Sequence, residues 1–246
     1  MKKIVIVGAS SGIGLAVAEA LASRGVKVGL ASRKTHVLHE LQEKYPDAVV
    51  YRQIDVTTTT APKHLEELVE SLGGMDIYVH IAGIGHSNPD MDPALEADVV
   101  NTDCTGFARM ISAAYRYFSA RPEGGSIVAL TSVAGVRGMA GLPAYSASKR
   151  FDYTYLEALD QKITMLKQPI TLTDIRPGWI RTPLLDPDKL YPMEIKLDEA
   201  VPQIIRAIVR RPRYAYVGPR WGAVAALVRA IPPCLWRRLG NLSGTL

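Results

Sequence analysis

Tyr145 and Lys149 stand four residues apart in a stretch, about Ala144 to Met165, that reads as a long helix. Residues at that spacing share one helix face. A tyrosine ordinarily titrates at about 10 and is a poor acid or base at neutral pH. An ammonium held beside it favours the phenolate and lowers that value. A tyrosine so tuned can give a proton to a carbonyl oxygen or take one from an alcohol. Ser132, in the loop before this helix, can donate a hydrogen bond to the same oxygen. Alone, such a pair is common on solvated helices, and its weight comes from what stands upstream.

Upstream is the run Ile4-Val5-Ile6-Val7, then Gly8-Ala9-Ser10-Ser11-Gly12-Ile13-Gly14. A short apolar run bounded by glycine reads as a buried strand, and the turn leads into a helix from Ile13 to about Ser23. Gly8 permits positive φ or a close approach of helix and strand. Gly12 removes a side chain where a pyrophosphate would cross the helix N-terminus, whose free N–H groups attract anions. Gly14 lets the helix pack tightly on the sheet. Sharp turns need glycine with or without a ligand, so it is the placement, after the first strand of an alternating chain, that points to a dinucleotide.

Further strands are expected at Lys27–Ala31, Val49–Ile54, Asp76–Ile81, Ser126–Thr131, Ile170–Ile175 and Tyr214–Val217. Helices lie between them, among them one from about Leu95 to Ala120 and one capped by Asp198 and running to about Arg210. Residues 179–197, with Pro183, Pro187 and Pro192, read as a lid-like loop. This alternation predicts an α/β fold: a Rossmann-type three-layer αβα sandwich on a mostly parallel, seven-stranded sheet. No linker or repeat divides residues 1–246. In such sheets ligands sit beyond the C-terminal ends of the strands, where Gly8, Arg33, Asp55, Gly83, Ser132 and Pro177-Gly178 converge.

The net charge of +5 is carried in good part by late arginines, with no zinc-finger spacing or lysine-rich tail, so no nucleic-acid partner is expected. Cys104 and Cys234 make no disulfide framework and no paired redox motif, and no metal site is expected. Two lysines run straight into the first strand, so no signal peptide is expected. A cytoplasmic location is the expectation.

The glycine turn, Asn101, Ser132, Tyr145-Ser146-Ala147-Ser148-Lys149 and Pro177-Gly178 followed by Thr182 resemble the classical short-chain dehydrogenase/reductase family, from residue 3 to about 218. The resemblance implies an oxidoreductase with Tyr145 as acid-base residue and Ser132 polarising the substrate oxygen. Lys149 would bind the nicotinamide ribose and lower the tyrosine pKa, and Asn101 would hold a water in a proton relay. Gly8, Ser10, Ser11, Gly12, Ile13 and Gly14 would hold the phosphates, Asp55 and Val56 the adenine. Ala82, Gly83, Asn101, Tyr145, Lys149, Pro177, Gly178, Ile180 and Thr182 would complete the cofactor site. It further implies a homodimer or homotetramer through the helices of Asn101 and Tyr145. Two departures are Gly8, where many members have threonine, and His80-Ile81-Ala82-Gly83, where an asparagine pair is common. His80 is read as structural.

An NAD site usually offers a carboxylate at the end of strand two. Ser32-Arg33-Lys34 has none, and an arginine pairs with a 2′-phosphate through its planar fork. NADP(H) is therefore favoured, with NAD(H) the alternative. The substrate, a carbonyl compound or its alcohol, would sit among residues 83–88, 133–142 and 179–197. There Val133, Val136, Met139, Leu142, Trp179, Leu184, Leu185 and Met193 suit an apolar or bulky ketone. The apolar-basic segment, about 221–246, reads as packing on the substrate lobe or a partner subunit, or as a face for an acidic bilayer surface.

Overall fold

Short apolar runs alternate with amphipathic stretches, and each run becomes a strand in the computed structural model, which describes residues 2–240 except 86, 184, 186, 187 and 189. The strands are β1 (Lys3–Val7), β2 (Lys27–Ser32), β3 (Val49–Gln53), β4 (Ile77–His80), β5 (Gly125–Leu130), β6 (Ile170–Pro177) and β7 (Tyr214–Val217). They form one seven-stranded sheet in the order β3-β2-β1-β4-β5-β6-β7, and each neighbouring pair is parallel. The order reverses between β1 and β4, where a crevice opens at the strand ends.

The helices are α1 (Gly12–Ala22), α2 (His36–Lys44), α3 (Ala61–Leu72), α4 (Pro93–Val100), α5 (Phe107–Ser119), α6 (Pro143–Met165), α7 (Leu197–Arg210), α8 (Trp221–Ala230) and the single turn α9 (Pro233–Trp236). Successive strand residues point to opposite faces, and the two cores follow that period. Ile4, Ile6, Val28 and Leu30 pack with Val17 and Leu21 of α1, Leu38 of α2 and Ile204 and Ile208 of α7. Val5, Val7, Tyr78 and Ile127 pack with Leu65 and Leu68 of α3, Phe107, Ile111 and Phe118 of α5 and Leu156 of α6. This is the Rossmann-type α/β sandwich expected.

Two expectations shift. The helix read as Leu95 to Ala120 is α4 and α5 joined by a π-helical turn, Asn101–Gly106. Gly106 is needed there, because a Cβ would stand 2.7 Å from Cγ2 of Val56. The cap expected at Asp198 falls at Lys196; Asp198 lies in the first turn of α7 and accepts the Glu199 N–H at 3.0 Å. An acid there still suits the helix dipole.

Candidate active site

At the end of β1, Gly8 has φ +97°, and a Cβ on it would overlap the backbone of Ala82. Gly12 differs: at φ +50° its Cβ would make ordinary contact with Thr182, 3.5 Å away. Gly12 lines the cavity, and the first turn of α1 carries neither an acidic residue nor a side-chain cap from Ser11. Uncapped N–H groups on a cavity wall suit a phosphate.

The next strand end is held in shape by its own polar groups. Ser32 Oγ donates to the Lys34 carbonyl, and Gln53 Nε2 donates to the Arg33 carbonyl at 2.9 Å. Arg33 is exposed at the cavity edge, and Ser32, Arg33 and Lys34 line it. Asp55 Oδ1 accepts from Thr57 N and Oγ1 at 2.9 and 2.7 Å. Burial would raise the Asp55 pKa, but the Thr57 bonds and the Arg33 charge hold it below the usual value.

Ser132 follows β5, and a short 3₁₀ turn, Val133–Val136, connects onward toward α6. Gly135 lets this turn lie on α6, since a Cβ would sit 2.6 Å from the Lys149 carbonyl oxygen. The Ser132 carbonyl accepts the Tyr153 hydroxyl, and the Arg176 guanidinium lies 3.8 Å above the Tyr153 ring. Arg176 is paired with Asp174 at 2.6 Å, and Asp174 accepts the Thr131 hydroxyl at 2.6 Å. A buried network thus fixes the serine from below. The Lys149 ammonium lies 5.5 Å from the centre of the Tyr145 ring.

Lys149 pulls the tyrosine pKa down as expected, but burial outweighs it. Burial pushes the Tyr145 phenol above its ordinary value; the lysine and a bond with Ser132 oppose this, while Asp103 and Asp152 add to it. Lys149 itself is not a free cation. Asp103 Oδ2 lies 2.9 Å from its ammonium and Asp152 Oδ2 3.2 Å.

One cavity of about 1070 Å³ is lined by Gly8, Ser10, Ser11, Gly12, Ile13, Gly14, Arg33, Asp55, Val56, Ala82 and Gly83 from one side. Ser132, Tyr145, Lys149, Pro177, Gly178, Ile180 and Thr182 line it from the other. Asn101 is the exception and corrects the sequence reading. It is exposed on the π-helical turn and does not line the cavity. Two residues on, Asp103 is 1% exposed and occupies the place beside Lys149. A signal for it was present, because Asp103 continues inward the buried stripe Phe107, Ile111, Ala114 and Phe118 of α5. Asp152 was equally legible, being three residues beyond Lys149 on the same helix face.

His80 is packed, not reactive. Its Nδ1 is 2.8 Å from the Tyr78 hydroxyl, its ring meets Phe107 edge-on, and burial pushes its pKa down to about 3.

A family model described as short chain dehydrogenase matches residues 2–190. The chain belongs to the short-chain dehydrogenase family. It is 31% identical to an uncharacterized oxidoreductase of Mycobacterium tuberculosis, over 96% of each chain. A short chain dehydrogenase from Burkholderia cenocepacia, solved in complex with NADP, has the same fold at a TM-score of 0.80 and 22% identity, over 97% of this chain and 99% of that one. A Burkholderia phymatum member in complex with NAD gives a TM-score of 0.78 at 21% identity, over 93% and 92%.

In this short-chain dehydrogenase the cavity beyond Tyr145 is apolar. Val133, Val136, Met139, Leu142, Trp179, Leu185 and Met193 line it as expected, and Leu184 lies outside the described residues. The Trp179 and Tyr191 rings pack with centres 4.7 Å apart. The C-terminal segment adds Val224, Ala225 and Val228 of α8 and Trp236 of α9, which sequence reasoning had not placed in the pocket. Residues 241–246 of that segment lie outside the described residues. No helix among the described residues is long and apolar enough to cross a membrane.

Proposed function

We propose that this oxidoreductase transfers a hydride between NADP(H) and an apolar or bulky ketone or its secondary alcohol, working as a cytoplasmic carbonyl reductase. The observation that carries the reading is that Ser132 and Tyr145 line the same cavity as the Gly8–Gly14 turn and a set of apolar side chains. The uncapped start of α1 at Gly12, on the cavity wall, would take a pyrophosphate, and Asp55 and Val56 would flank the adenine. Arg33, with Lys34 and no carboxylate at residues 32–34, suits a 2′-phosphate. When bound, the dinucleotide supplies the hydride.

The chain's own groups supply the rest. Ser132 Oγ donates a hydrogen bond to the substrate oxygen, polarising the carbonyl, and Tyr145 gives that oxygen its proton as charge develops on it. Lys149 would hold the ribose hydroxyls. The apolar wall excludes water and orients the substrate.

Two experiments test this. In fluorescence titrations NADPH binds more tightly than NADH, and Arg33→Ala removes most of the difference; preference for NADH would reject the phosphate assignment. Tyr145→Phe binds NADPH like the parent protein but loses activity by about 100-fold or more, the scale of general acid catalysis. Equal turnover would reject the mechanism.

A further inference from the structure

The lysine at the centre of this site is held between carboxylates from two different elements. Asp103 reaches its ammonium from the π-helical turn at 2.9 Å, and Asp152 reaches it from the next turn of α6 at 3.2 Å. Both carboxylate side chains are 0% exposed. Asp103 accepts the Ile84 N–H on its other oxygen at 2.8 Å, whereas Asp152 Oδ1 is buried with no hydrogen-bond partner among the described residues. Two carboxylates on one ammonium leave an excess negative charge in a dry place, where ions are costly. A proton on one of them removes that excess, and a protonated carboxyl is also a donor.

The surroundings favour Asp152 as its seat. His80 of β4, beyond the lysine, is neutral, and Cys104 of the π-helical turn keeps its thiol proton, pushed up to about 11 by burial. Asp174 of β6 is matched by Arg176 at 2.6 Å. Asp103 faces Asp152 as a second acid across the lysine. Burial first, then the Asp103 and Asp174 charges, push the Asp152 carboxyl up to about 7 against the pull of Lys149.

We propose that Asp152 stores a proton beside Lys149 and returns it to the lysine after each reduction, while Asp103 holds the lysine in place. Both are positioning residues acting through Lys149. The carbonyl carbon gains its electron pair as hydride from a reduced nicotinamide dinucleotide. The Tyr145 O–H bond breaks as the substrate oxygen takes its proton, and a Lys149 N–H proton restores the phenol. The neutral amine then takes the proton from the Asp152 O–H, and the carboxylate left behind is reprotonated from solvent. For each carbonyl reduced, one hydride and one solvent proton are consumed.

The relay rests on the reduction proposed above, but the stored proton can be read without cofactor or substrate. Infrared spectra of the protein alone, taken from about pH 5 to pH 9, follow the C=O stretch of a protonated carboxylic acid. Expected is a band that titrates away with a midpoint near 7, is missing in Asp152→Asn and is shifted in frequency in Asp152→Glu. No band titrating in that range in the unmutated protein, or a band unaltered in these variants, overturns the proposal; the former needs no variant to fold. In turnover, Asp152→Asn reduces carbonyl substrate about tenfold more slowly, less than the loss of about 100-fold or more expected when the direct proton donor is removed. Its NADPH affinity stays within about twofold, and the fall in rate above neutral pH disappears; Asp152→Glu restores both rate and fall. A pH profile identical to the parent's overturns the relay. No turnover of any carbonyl would overturn the relay together with the reaction, and the infrared band reports separately whether the proton is there.

Discussion

At the scale of single residues, the site is governed by where charge is buried. Asp103→Asn keeps an oxygen for the Ile84 N–H and removes one negative charge facing Asp152 across the lysine. Asp152 is then the lysine's sole carboxylate partner of the pair and is easier to ionise, because a like charge nearby is what raises a carboxyl. The midpoint of its infrared titration should fall below the parent's value near 7. An unmoved midpoint would mean burial alone sets it. His80 makes a second prediction. Its folded pKa, about 3, lies below the ordinary 6.5, so between these values the unfolded chain binds more protons than the folded one. Its contribution is intact above 6.5 and is lost as pH falls toward 3. In His80→Gln the melting temperature should therefore decline less between about pH 7 and pH 4 than in the parent, whatever its value at neutral pH. Equal slopes would show that His80 takes up its proton without unfolding.

At the scale of elements, the strands were legible because each is a short apolar run, and the Gly8 turn because few residues tolerate its backbone. The reading failed where local pattern and tertiary register part. An asparagine in a helical stretch looked like the relay residue, but the π-helical turn carries Asn101 outward and Asp103 inward. The C-terminal helices were visible as apolar and basic, yet which side they would pack on depends on contacts about ninety residues apart. Those contacts are specific: Arg137 donates to the carbonyls of Val228 at 3.4 Å, Arg229 at 3.0 Å and Ile231 at the end of α8, and Trp236 Nε1 donates to Gly138 at 2.9 Å. A cation suits the negative end of a helix. Arg137→Ala should thus loosen α8 from the chamber. Amide exchange across Trp221–Ala230 should quicken, and KM for an apolar ketone should rise about tenfold, as loss of about 1.4 kcal/mol of charged hydrogen bonding would give. NADPH affinity should hold. Unchanged exchange would show the arm is held by its apolar side alone.

At the scale of the whole molecule, α6 lies against α4 and the π-helical turn, so the cavity wall and the outer surface share the same two helical rods. Their inner faces carry Tyr145, Lys149 and Asp103. Their outer faces leave Val100 and Phe151 exposed, with the Phe151 and Tyr155 rings stacked 5.8 Å apart. Covering such a face with a second copy buries apolar surface and stiffens the helix that holds Tyr145. The assembly we propose is a homodimer or homotetramer built on these helices. Sedimentation should then give a multiple of the 26.8 kDa chain mass. Phe151→Glu, which would bury an unpaired charge at that contact, should shift the protein to single chains. Because Phe151 is two residues from Lys149, activity should fall with dissociation and recover at high protein concentration. A parent protein that sediments as single chains at all concentrations would place the function in the isolated sheet and its helices.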